Sequence, residues 1–424
     1  MKRILLLVSL TVLSLAGIAQ SVTNQQEINR DWSKDIDSLA SELSSKHYNF
    51  FTVKSKEDFI KGLDIIKRGS TEKTDLHVAL QLKQLIAGFG DSHTDINFMQ
   101  YIDRTKILPL QINFFSDGIY ILVTAKEYEP VIGCKLLSVN GFPVKTIIDS
   151  LSTLITCDNE AIVKVRIPQI FPFIQLLEFF GFTKGDRFDV VIESRDGVVK
   201  NLVMSPAQVT TQNAAFYRPS ALPLSMKNQK GLFFSSYQPQ DSILYIQYNK
   251  CWSRELENQY GNPQNAATLP SFKELEESVF NILKTQPVKK LIFDVRYNSG
   301  GNSVQGTEFA EKYAGYLKTH PGVKTYVIIG RSTFSSAILN ALDFKREVNA
   351  VFVGEETSGK PSHFGELKSF KLPVSGLQVY YSTKFFENGD KNLKSIIPDE
   401  YTLSSFSDYS KGIDPAYEWI KKQK

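Results

Sequence analysis

Ser335 stands in the run Thr333-Phe334-Ser335-Ser336-Ala337, downstream of a glycine pair, Gly300-Gly301. A serine hydroxyl becomes a nucleophile when a base takes its proton, and the tetrahedral intermediate it then forms needs N–H donors for its oxygen. Backbone N–H groups at Gly301 and at Ser336, where a helix is expected to begin, are suited to that role, because the first amides of a helix have no partner inside it. Each motif also has an ordinary reading. Asn298-x-Gly300-Gly301 alone is a strand-to-helix turn, and Ser332-Thr333-Phe334-Ser335 alone is a helix N-cap. In this order along one chain they describe an acyl-transfer site.

The surrounding pattern supplies a frame for those turns. Leu291-Ile292-Phe293-Asp294-Val295 is a short apolar run, as expected of a strand buried on both faces. A helical pattern follows from Val304 to Leu317, then a strand over Thr325 to Ile329, a helix from Ala337 to Phe344 and a strand over Ala350 to Val353. Alternating strands and helices predict an α/β core with a parallel sheet and right-handed crossovers. Such sheets carry chemistry beyond the carboxyl ends of their strands, where both turns fall. Two further strands, Leu367 to Leu372 and Leu377 to Thr383, are expected to complete the sheet.

Three motifs in this stretch resemble the core of the C-terminal processing peptidases (tail-specific proteases) and of the tricorn core, a family of serine peptidases. Asp294-Val295-Arg296-Tyr297-Asn298-Ser299-Gly300-Gly301 is similar to the family's Asp-Leu-Arg-x-Asn-x-Gly-Gly turn. Thr333-Phe334-Ser335-Ser336-Ala337 is similar to its Thr-Ala-Ser-Ala nucleophile turn, and Gly354-Glu355-Glu356-Thr357-Ser358-Gly359-Lys360 to its Gly-Glu-x-Thr-x-Gly-Lys loop. Looser similarity runs from about Leu76 to Asp399. The resemblance implies a crotonase-like core, Ser335 as nucleophile and no cofactor.

It leaves the general base open among His93, Lys360 and the nearby His363. In the processing-peptidase branch a lysine at the place of Lys360 takes the proton, but that branch has a glutamine four residues on, where this chain has Phe364. Its Ser-Ala-Ser-Glu has also become Ser335-Ser336-Ala337-Ile338. The tricorn branch carries its base in a Ser-His pair ahead of the core, which Ser92-His93 matches, and His93 is therefore favoured over Lys360. An imidazole also needs little tuning to act near pH 7, whereas a lysine must be desolvated. Asp91, Asp95 or Ser92 is available to orient it. The tricorn branch also uses a late glutamate, for which Glu366 and Glu387 are available.

The rest of the chain sets the context. Lys2 and Arg3 precede an apolar run from Ile4 to Ala16, which reads as a secretory signal over residues 1–19, without a cysteine for a lipid anchor. An exported protein with no stable membrane insertion is expected, periplasmic or secreted. A formal charge of +4 in 424 residues gives no support for a nucleic-acid partner. Five scattered histidines lack metal-ligand spacing, and Cys134, Cys157 and Cys251 form no CxxC.

Residues 20–105 read as a helical region, with patterns at Ile28 to Leu43 and Leu76 to Ile86. Residues 106–205 read as short strands around Ile132-Gly133-Cys134-Lys135-Leu136-Leu137-Ser138-Val139-Asn140-Gly141, which has the form of a PDZ strand and turn, with a Phe- and Ile-rich insertion from Ile162 to Phe182. The catalytic core is expected over 206–424, with a surface loop from Tyr248 to Pro270. The whole reads as an exported serine peptidase acting on peptides or unfolded protein segments. A binding protein on the same scaffold, or an esterase, is the alternative.

Overall fold

The structure is a computed structural model that describes residues 30–424. The expected signal segment lies outside the described residues.

Three helices open the described chain: α1 (Ser33–Lys46), α2 (Lys56–Gly69) and α3 (Asp75–Ala87). Ile36, Leu39 and Leu43 give α1 one buried face. A capping box between Ser55 and Asp58 starts α2, and the Thr74 side chain accepts from His77 N–H to start α3. Phe50, Phe59 and Phe89 pack between them, Phe50 and Phe89 stacked with centroids 4.8 Å apart. The α2 helix falls within the expected helical region, and it buries Phe59, Leu63 and Ile66. After α3 the chain turns through Asp91–Thr94 into β1 (Asp95–Asn97).

An antiparallel sheet follows. Its strands are β2 (Leu110–Phe115), β3 (Gly118–Ala125), β4 (Lys135–Val139) and the short β5 (Phe142–Pro143). Helices α4 (Val144–Ser152), α5 (Glu160–Ile170) and α6 (Ile174–Phe179) interrupt it before β6 (Phe188–Glu193), β7 (Val199–Met204) and β8 (Ala214–Phe216). The strand order is β2-β3-β4-β6-β7, with β5 beside β4 and β8 beside β3. The Phe- and Ile-rich insertion is thus helical, and it buries Ile162, Ile167, Phe171 and Leu177 against the sheet and the N-terminal helices.

The short helix α7 (Leu224–Lys227) leads into β9 (Phe233–Gln238) and β10 (Ile243–Tyr248). The expected loop from Tyr248 to Pro270 contains two short helices, α8 (Arg254–Tyr260) and α9 (Pro263–Ala266), each capped by the side chain before it, Ser253 and Asn262. Then come α10 (Phe272–Thr285), β11 (Lys290–Asp294), α11 (Val304–Thr319), β12 (Lys324–Ile329), α12 (Ser336–Val348) and β13 (Val351–Gly354). These match the expected alternation. β10, β11, β12 and β13 pair in parallel, and all five residues of β11 are buried.

One expectation is corrected. The hairpin β14 (His363–Lys371) and β15 (Gln378–Phe386) does not complete this sheet; it forms a separate three-stranded sheet with β1, in the order β1-β15-β14. The place beside β13 is taken instead by β16 (Glu400–Tyr401), giving the order β16-β13-β12-β11-β10-β9. Two helices close the chain, α13 (Phe406–Lys411) and α14 (Pro415–Lys422). The hairpin therefore carries the loop after β13 back to the turn that follows α3.

Candidate active site

The site is assembled where β11, β12 and β13 end. After β11 the chain makes a turn that only glycine fits: Gly300 has φ +100° and Gly301 φ +141°. A Cβ on Gly300 would lie 2.8 Å from Ser335 Cβ and 3.1 Å from Ser336 N, so the glycine turn and the serine turn are in contact. Asn298 shapes the first of them, accepting from Gly300 N–H at 2.8 Å and donating to Tyr248 O at 2.8 Å. Beneath it, Asp294 at the end of β11 accepts from Arg296 and from the Tyr245 hydroxyl, at 2.6 Å, and Arg296 reaches Asp414 at 2.9 Å.

The serine turn is held from below. Thr333, fully buried, donates to Val295 O at 2.9 Å and accepts from Gly330 N–H at 3.0 Å. Phe334 N–H donates to Asn298 O at 3.0 Å. These bonds carry Ser335 into φ +53°, ψ −125°, a left-handed conformation that a serine rarely adopts. Ser335 occupies the N-cap position of α12, yet its side chain makes no capping bond. The half-buried hydroxyl is not spent on the helix, which removes the ordinary explanation of the motif. Ser336 instead donates its hydroxyl to Gly301 O at 2.7 Å. Among the described residues, no acceptor is found for the N–H of Gly301 or of Ser336.

His93 reaches this place from the turn after α3. Its imidazole lies on the ring of Phe334, centroids 4.4 Å apart and planes 24° from parallel. His363 is 5.7 Å from it in near-parallel stacking, and Phe386 continues the row at 5.4 Å from His363. His93 is buried, and among the described residues neither ring nitrogen has a hydrogen-bond partner. Burial pushes its pKa down to about 4; the charge of Asp91 opposes this, while His363, Arg166 and Lys360 add to it. The Nδ1 of His363 faces the carbonyls of Lys360 and Pro361 at 3.0 and 3.2 Å, so it carries the proton that side requires.

Lys360 and Ser92 meet through a residue that the sequence reading did not single out. The Lys360 ammonium lies 2.9 Å from Asp158 Oδ1, an ion pair whose angle falls outside hydrogen-bond geometry, and Ser92 donates to Asp158 Oδ2 at 2.5 Å. The Asp158 carboxylate is 1% exposed. Asp158 precedes Asn159, the N-cap of α5, and this helix start is the only local signal that marks its position.

Of the residues available to orient His93, Asp91 is the one beside it, with Oδ1 3.9 Å from Nδ1. Ser92 is engaged by Asp158, and Asp95 by Lys83. The late glutamates lie elsewhere. Glu366 is exposed on β14 with φ +57°, and exposed Glu387 pairs with Lys391 at 3.0 Å. Among the described residues, no group of three or more His, Cys, Asp or Glu is arranged to hold a metal ion. No described helix is long and apolar enough to cross a membrane, and the three cysteines are unpaired.

The chain matches no protein-family model and no curated protein. Solved structures do match. Mature CPAF in complex with lactacystin superposes with a TM-score of 0.63 at 14% identity, covering 93% of this chain and 98% of that one. Mature CPAF superposes with a TM-score of 0.63 at 13% identity, over 93% and 97% of the two chains. The photosystem II D1 C-terminal processing protease is matched more loosely, at TM-score 0.36 and 14% identity, over 87% and 93%. The chain thus has the fold of CPAF over nearly the full length of both.

Proposed function

We propose that this chain is a serine peptidase of the C-terminal processing type, which hydrolyses peptide bonds in peptides or unfolded protein segments. The observation that carries the reading is Ser335, held at φ +53° against Gly300 with its hydroxyl withheld from the helix it begins. Backbone strain of this kind is kept where the surroundings over-determine it, and here it holds the serine against a glycine turn.

In this reading Ser335 Oγ attacks the carbonyl carbon and His93 takes its proton. The oxygen of the tetrahedral intermediate accepts from the N–H groups of Gly301 and Ser336, and His93 then gives the proton to the departing amine. Water repeats the sequence on the acyl-enzyme. His93 is preferred to Lys360 because an ammonium ion-paired with a buried carboxylate carries its proton already and has no lone pair to accept another. Export through residues 1–19, a crotonase-like core over 206–424 and a PDZ-like module over 106–205 belong to the same reading.

A fluorophosphonate probe tests it, because an activated serine attacks its phosphorus, displaces fluoride and becomes phosphonylated. Wild-type protein should label at Ser335, and Ser335→Ala should not. Lactacystin, bound by CPAF in one of its structures, is a second probe. Absence of labelling would turn the reading to a binding protein on this scaffold. Labelling with turnover of esters but of no peptide would turn it to an esterase.

A further inference from the structure

Asp91 is a buried carboxylate surrounded by donors. Its side chain is 4% exposed. Oδ2 accepts from His47 Nε2 at 2.8 Å, Thr94 Oγ1 at 2.5 Å and Ser382 Oγ at 2.7 Å. Oδ1 accepts the backbone N–H of His93 at 3.0 Å and faces His93 Nδ1 at 3.9 Å. The donors come from three places in the chain: the end of α1, the turn after α3, and β15.

The protonation of His47 follows from its other nitrogen. His47 Nδ1 accepts the N–H of Asn49 at 3.0 Å, so it carries no proton, and the ring is the neutral Nε2–H form donating to Asp91. The remaining donors are hydroxyls and an amide. Asp91 thus keeps its full negative charge in a buried place, stabilised by neutral dipoles and neutralised by no cation. Those hydrogen bonds outweigh the cost of burial and keep the carboxylate ionised. The titratable side chain next to Oδ1 is His93.

We propose that Asp91, held by His47, is the carboxylate that orients His93 and stabilises its imidazolium, so that base and acid come from a single turn and His47 is the positioning residue behind them. The inference rests on the peptidase reading above. With Nδ1 turned to Asp91, Nε2 is left for the Ser335 proton. Closing the present gap to a hydrogen bond takes a movement of about 1 Å, of the kind that occurs when substrate binds. The groups bearing on His93 are Asp91 from its own turn, His363 from β14, Lys360 from the preceding loop and Arg166 from α5.

The test uses the full chain and three variants. Asp91→Asn keeps the shape and removes the charge. Its kcat should fall roughly a hundredfold or more while KM stays within about threefold, as expected for a group that acts on the imidazolium. Its acid limb should move to lower pH, because a carboxylate raises the pKa of a neighbouring imidazole and its removal lowers it. His47→Gln retains an N–H donor and should keep kcat within about fivefold, whereas His47→Phe should lose at least about tenfold.

Asp91→Asn with wild-type kcat and an unmoved acid limb overturns the proposal. If Asp91→Asn does not fold, the His47 pair decides, and equal kcat for Gln and Phe overturns it. Wild-type protein unlabelled at Ser335 sinks the peptidase reading and this inference together. Labelled, active wild type with an indifferent Asp91→Asn sinks the inference alone.

Discussion

The imidazole of His93 lies nearly parallel to the ring of Phe334, the residue before Ser335, at a centroid distance of 4.4 Å. One residue thus links the turn that carries the serine to the ring proposed to take its proton. Phe334→Leu keeps most of the apolar volume and removes the flat face. It should lower kcat/KM by roughly 10- to 100-fold through misplacement of His93, with little loss of melting temperature. Unchanged kcat/KM would show that the stacking does not position the base.

Gly300 tests the contact between the two turns. Gly300→Ala places a Cβ 2.8 Å from Ser335 Cβ at φ +100°, so it should cost about 1–3 kcal/mol and most of the activity. Gly315→Ala is the control. It lies inside α11 with nothing within 4 Å of the added methyl, and should stabilise by about 0.5–1 kcal/mol with activity unchanged. Urea unfolding and a peptide assay on both variants measure the contrast.

Lys360 and His93 are separated by comparing activity with stability. His93→Ala should lose nearly as much as Ser335→Ala, because nucleophile and base act as a unit. Lys360→Met leaves the Asp158 carboxylate buried without its ion partner and should destabilise by about 2–3 kcal/mol, while each folded molecule stays active. Lys360→Met combined with Asp158→Asn should recover most of that stability. A folded, inactive Lys360→Met enzyme would make Lys360 the base.

The acid limb of the rate should lie below the usual imidazole range. His93 accepts a proton only when neutral, and burial pushes its pKa down to about 4, so activity should persist below pH 6 and fall as pH approaches that value. Stability should fall over the same interval. Between about 4 and the ordinary value of 6.5 the unfolded chain binds a proton at this position that the folded protein does not, so folding weakens as pH drops, by at most about 1.4 kcal/mol per pH unit.

Asp91 adds to the loss at lower pH. Burial alone would raise its carboxyl, but the hydrogen bond from His47, the neighbouring His93 and the donors from Thr94 and His93 N–H outweigh this and hold it at about 2. Its contribution is present above its ordinary value of 3.8 and is lost as pH falls toward 2. Chemical denaturation at a series of pH values checks both windows, and a flat profile from pH 7 to 4 would contradict the burial of His93.

The core and its two turns were legible in the amino-acid sequence because the signals there are local. A strand buried on both faces shows as an apolar run, as in Leu291-Ile292-Phe293. A turn with φ of +100° or more requires glycine, as at Gly300 and Gly301. Ser335 stood out for the same reason, as a serine between a strand and a helix start. Tertiary structure alone decided which groups meet it. Spacing along the chain carries no information on whether Lys360 is free or bound to Asp158, or whether Ser92 turns to His93 or away. It is equally silent on His47, which meets Asp91 across 44 residues, and on Ser382, which meets it across 291. The hairpin of β14 and β15 reads from sequence as two more strands of the main sheet, since period-two alternation names a strand but not its neighbour. Its pairing with β1 is a long-range choice made by packing, and that choice brings His363 and Ser382 up to the turn that holds Asp91 and His93.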